Sequence, residues 1–126
     1  MTLGIKPLVC GNWKMNGLAS DRAKLEAMAS GFTEELAAVV DLAICPPFTL
    51  ISALTGTRVA VGAQDCHPTE SGAHPGDISA ALLADSGAQL LLVGPSARRT
   101  AHVVASSSVR AHAEAAFCAR PLPLLC

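Results

Sequence analysis

Leu8-Val9-Cys10-Gly11-Asn12-Trp13-Lys14-Met15-Asn16-Gly17 is the stretch on which the reading of the fold turns. Three apolar residues stop at a glycine and give way to an amide and an ammonium. That pattern reads as a buried parallel strand whose C-terminal end faces a ligand. In α/β sheets and barrels, chemistry gathers at that end of the strand. A plainer reading fits the same residues: a strand-to-loop junction in which Lys14 is solvated and Asn16-Gly17 is a turn.

Working outward, short apolar runs recur at Leu42 to Cys45, Val59 to Gln64, Gln89 to Val93 and Leu122 to Cys126, each closed by Gly, Pro or a polar residue. Between them lie helical patterns. Leu25, Met28, Ala29, Phe32 and Leu36 form one apolar stripe, with Ser20 and Asp21 as candidate caps and Lys24, Glu34 and Glu35 on the solvated face. Shorter helices are predicted over Leu50 to Leu54 before Gly56, Ser79 to Asp85 before Gly87, and Ser107 to Ala119 before Pro121. Ser106, Ser107 and Ser108 offer alternative caps for the last of these. Alternation of doubly apolar strands with helices implies an α/β fold with a covered parallel sheet.

The segment Asp65 to Asp77 is long for a strand-to-helix connection and rich in Pro, Gly, Ser and His. Asp65 and Asp77 read as turn formers. His67 and His74 read as incidental members of a mobile loop.

With 126 residues and 51% hydrophobic content, the chain is long enough for one domain, residues 1–126, with a core. A net charge of -1 and a pI near 6.4 supply no field for nucleic acid or an anionic membrane, so neither partner is expected. No apolar run approaches the ~20 residues of a membrane helix, and a cytoplasmic location is expected. Cys10, Cys45 and Cys126 fall on predicted strands, Cys66 in a loop and Cys118 on a helix. Five cysteines make an odd count that argues against a disulfide framework. Cys66-His67 has no second ligand pair at zinc spacing, so no metal is expected.

Gly11-Asn12-Trp13-Lys14-Met15-Asn16, Cys45-Pro46-Pro47-Phe48-Thr49, Gly62-Ala63-Gln64-Asp65-Cys66 and Ser71-Gly72-Ala73-His74-Pro75-Gly76-Asp77-Ile78-Ser79 together resemble, in order and spacing, the N-terminal half of the triosephosphate isomerase family. The resemblance runs from Leu8 to Cys126. It implies a partial (β/α)8 barrel of about four strand-helix units plus a fifth strand, where the whole barrel takes about 250 residues. It also implies interconversion of dihydroxyacetone phosphate and glyceraldehyde 3-phosphate in glycolysis and gluconeogenesis, in a cytoplasmic homodimer without a cofactor. The loop corresponding to Asp65 to Asp77 reaches, in the family, into the neighbouring subunit. Here Pro75 replaces the family's Thr and Asp77 shortens a Glu.

The implied reaction takes a proton from beside a carbonyl and builds negative charge on oxygen, which donors already aimed at that oxygen stabilise. Two of the family's three donors map onto Asn12 and Lys14. These are the expected substrate-binding residues, with Lys14 also electrostatic in catalysis. The third is an imidazole in Val-Gly-His-Ser-Glu-Arg-Arg, written here Val93-Gly94-Pro95-Ser96-Ala97-Arg98-Arg99. Pro95 occupies the electrophile position and has neither a side-chain donor nor a backbone N–H. Ala97 removes a carboxylate. Arg98 loses that partner and a Glu that would align with Val104, so it is expected to turn outward. The catalytic Glu, the lid and the phosphate loops belong to the half this sequence does not match, so the general base is absent. The expectation is a catalytically deficient chain that either self-associates or pairs with a C-terminal half.

Overall fold

The computed structural model describes residues 4–95 and 105–126. Five strands, β1 (Leu8–Asn12), β2 (Asp41–Cys45), β3 (Ala60–Ala63), β4 (Leu90–Val93) and β5 (Leu122–Leu125), form one parallel sheet in chain order. The fold is the α/β half-barrel expected. Register places Cys10 beside Ala43, Asn12 beside Cys45, Gly62 beside Leu90 and Val93 beside Leu125.

Strand periodicity sorts the side chains onto two faces. Ile44, Val61, Ala63, Leu91 and Val93 point outward and pack beneath the helices with Leu25, Ile51, Leu54, Leu83 and Ala116. Ala43, Cys45, Leu90 and Leu92 form a second cluster, with Cys10, Ala60 and Leu124 against it. This is the concave, lumen-side face. Gly62 lets that face curl: a Cβ there would lie 2.2 Å from Leu90 Cδ1, 2.8 Å from Cys45 Sγ and 2.9 Å from the Leu90 carbonyl oxygen.

The predicted first helix is in fact two, α1 (Arg22–Gly31) and α2 (Glu34–Val39). The chain leaves helical geometry at Phe32 (φ −85°, ψ 80°) and restarts at Thr33, whose Oγ1 accepts from the Leu36 N–H at 3.4 Å. A β-branched capping residue just after Gly31 outcompetes helix continuation. Leu25 and Phe32 are buried, whereas Leu36, now on the second helix, is half exposed. Asp21 does not cap α1: its carboxylate accepts from the Leu18 N–H at 2.8 Å and pairs with Lys24 at 2.7 Å, holding a single 3-10 turn ahead of the helix.

Helices α3 (Ile51–Leu54) and α4 (Ala80–Asp85) fall where expected, with Ser79 Oγ accepting from the Leu82 N–H at 3.3 Å. Helix α5 (Ser106–Ala119) starts one residue early. Its N-cap is Ala105 rather than one of the serines, and Ala105 has no side-chain acceptor to offer. It packs on β4, β5 and α4. Among the described residues, no helix is long and apolar enough to cross a membrane.

Among the described residues, strands β1 and β5 each pair on one side only. Val9 is 56% exposed and Leu125 71%, so both edges leave apolar surface beside unpaired backbone groups.

Candidate active site

At the end of β1 the backbone builds a small polar platform. The Trp13 N–H donates to the Cys45 carbonyl at 3.0 Å, extending the β1–β2 pairing by one residue. The chain then turns sharply at Lys14, a non-glycine residue with φ 54°. A side chain held in that left-handed region carries a conformational cost, and such positions cluster at functional sites.

Three contacts hold the turn. The Lys14 N–H donates to Asn12 Oδ1 at 2.9 Å. With that oxygen engaged, the Asn12 NH2 group makes no hydrogen bond among the described residues. Asn16 Nδ2 donates to the Trp13 carbonyl at 3.0 Å. Gly17 (φ 111°) sits against the Trp13 ring, where a Cβ would come within 2.8 Å. The Lys14 side chain is exposed, and among the described residues its ammonium makes no ion pair. Asn12 closes β1, and Lys14 follows two residues later in the turn.

Gln64 completes the platform, and sequence reasoning missed it. Its Nε2 donates to the Lys14 carbonyl at 2.8 Å and to the Cys45 carbonyl at 2.9 Å. One amide thus ties the ends of β1, β2 and β3 together. The available signal was a polar residue closing the apolar run of β3, two residues beyond the level of Asn12 in the sheet.

The end of β4 is chemically different. Gly94 takes φ 74° with Val109 of α5 so close that a Cβ would lie 3.1 Å from both its methyls. Pro95 follows, half-buried, and offers no donor. Beside it the Cys126 N–H donates to the Val93 carbonyl at 3.0 Å, closing the β4–β5 ladder. Ala97, Arg98, Arg99 and Val104 lie outside the described residues.

The connection from β3 to α4 is tied down at two points. Asp65 is not simply a turn former: it is buried, with Oδ1 3.2 Å from His112 Nδ1 on α5. The buried Cys66 thiol donates to the His112 carbonyl at 3.8 Å, and burial with the Asp65 charge pushes that thiol up to about 12. His67 pairs its backbone with Ile78 at 2.8 Å. Its ring stacks on His74 with centroids 4.1 Å apart, and its Nε2 lies 3.9 Å from Asp77 Oδ2. The ligand atoms of these three residues fall within 4.8 Å of one another.

A curled parallel sheet, helices outside it and polar groups raised at the C-terminal strand ends define a chain of the (β/α)8-barrel class, with those groups at the end of the sheet where such barrels carry their sites. Within that class the chain belongs to the triosephosphate isomerase family, whose family model matches residues 7–126. It is 49% identical to triosephosphate isomerases from Bradyrhizobium diazoefficiens and from a Chelativorans species, matching all of this chain and 51% of each relative. The crystal structure of triosephosphate isomerase from Bartonella henselae superposes with a TM-score of 0.90 at 36% identity, covering 97% of this chain and 52% of that one. The chain thus spans about half the length of the relatives it matches.

Proposed function

We propose that these residues form the substrate-receiving half of a triosephosphate isomerase site, able to meet a small sugar phosphate and unable by themselves to isomerise it. The single observation that carries this reading is the contrast between the hydrogen-bonded Asn12-Lys14 platform and the donorless Pro95 at the end of β4. The Asn12 NH2 and the Lys14 ammonium supply donors and positive charge for a developing oxyanion and a phosphate. At Pro95, no proton stands ready for the carbonyl oxygen. No carboxylate here lies in a motif matching the family's base, and Asp65, a loop candidate, faces His112 instead. The setting inherited with the family is the cytoplasm, glycolysis and gluconeogenesis, with no cofactor.

The exposed apolar edges at Val9 and Leu125 favour a second element of the proposal: the sheet is completed by a C-terminal half or by another copy of itself. As an interaction module the chain would associate without turning over. A coupled assay with dihydroxyacetone phosphate, run with the chain alone and with a separately made C-terminal half, tests both elements. The isomerase reading expects no turnover alone and rescue by the added half together with Pro95→His. A stable self-assembled complex that ignores the added half supports the module instead.

A further inference from the structure

Two thiols meet on the lumen face just below the platform. Cys10 of β1 and Cys45 at the end of β2 have their sulfurs 3.6 Å apart. Cys45 is buried and Cys10 half-buried. Gly62 leaves room for this contact, since a Cβ there would press within 2.8 Å of Cys45 Sγ. Cys45 is also the hub of the platform, its carbonyl accepting from both Trp13 N and Gln64 Nε2.

We propose that Cys10 and Cys45 are a reversible oxidation site, closed to a disulfide by hydrogen peroxide. The Cys10 thiolate attacks one peroxide oxygen, the O–O bond breaks and hydroxide leaves, giving a sulfenic acid at Cys10. Cys45 then attacks the Cys10 sulfur as its own proton passes to the departing hydroxide; the S–O bond breaks and water leaves. In total two thiols lose two electrons and two protons, and one peroxide becomes two waters.

The order of events follows from the contact itself. Hydrogen bonding from Cys45 holds the Cys10 thiol down to about 7, against the opposing effect of burial. The Cys45 thiol is raised by the same contact and by burial. Cys10 is therefore the attacking sulfur and Cys45 the resolving one. Closure brings the sulfurs from 3.6 Å to a bond of about 2.05 Å. Strand β1 can follow, because it is hydrogen-bonded to β2 alone and most of its residues are exposed. Cys66 is no competitor, being buried with its thiol pushed up to about 12.

The test treats the 126-residue chain, carrying Cys118→Ser to remove one exposed thiol, with hydrogen peroxide and maps peptides without reduction. The expected product links Cys10 to Cys45 within one chain, shows two fewer free thiols and reverts with dithiothreitol. In Cys45→Ala, Cys10 stops at a dimedone-trapped sulfenic acid, and the midpoint of its alkylation rises from about 7 toward the ordinary 9.0. In Cys10→Ser, Cys45 stays reduced. The proposal is overturned by a Cys45–Cys126 link, by disulfides only between chains, or by a Cys10 that remains unmodified and titrates unchanged in Cys45→Ala.

Discussion

The ends of β1 and β4 face the same side of one sheet, and the chain treats them differently. At β1, two amide side chains from two strand ends hold the backbone: Asn12 accepts from the Lys14 N–H, and Gln64 donates to the Lys14 and Cys45 carbonyls. At β4, the strand closes through Gly94 into Pro95, held by packing against Val109 and by the Cys126 N–H on Val93. Folding demands are met at both ends, and polar side-chain donors stand at only one of the two. A parallel strand needs its ladder and its outward apolar face, which Leu91 and Val93 supply whatever follows them. A strand end without a side-chain donor therefore costs the sheet nothing.

That contrast is open to attack by substitution. The largest effect is expected from Pro95→His, measured as turnover of dihydroxyacetone phosphate in the presence of a C-terminal half. Restoring one such donor should raise the rate on the order of a hundred- to a thousandfold over the Pro95 chain. An equal rate for both chains would mean that the β4 end contributes nothing.

Gly62→Ala probes the sheet that carries both ends. Its Cβ has no room between Leu90 and Cys45, and the overpacking should cost about 1–3 kcal/mol in urea unfolding. Gln64→Ala should cost about 1–2 kcal/mol, because it strips the Lys14 carbonyl of its bonded partner while Cys45 keeps Trp13. A sugar phosphate should also bind more weakly to that variant by calorimetry. Unchanged stability and binding would show that Gln64 is a bystander. The smallest effect belongs to Lys14→Gly. Relief of the φ 54° backbone is offset by the freer unfolded chain, so stability should change by less than about 1 kcal/mol while the cation is lost to the ligand.

Much of this was legible from residue order. The five strands and the α/β half-barrel follow from short apolar runs, their polar stops and a family motif. What escaped depends on partners distant in the chain or on local competition. Gln64 lies 50 residues from the carbonyl it clamps, so its role exists only once β1 and β3 share a sheet end. Asp65 reads as a turn residue until α5 brings His112 to 3.2 Å. The break at Phe32 was hidden because the apolar spacing runs through it, while Thr33 offered the backbone a competing cap. Cys10 and Cys45 each read as a small strand residue, and only strand register reveals that their sulfurs touch.

The most direct test concerns proton removal itself. With purified chain, dihydroxyacetone phosphate and deuterium oxide, proton NMR follows exchange of the carbon-bound hydrogens beside the carbonyl. A receiving half-site without base or imidazole predicts exchange no faster than in buffer alone. Exchange well above that background, lost in Lys14→Ala, would contradict it.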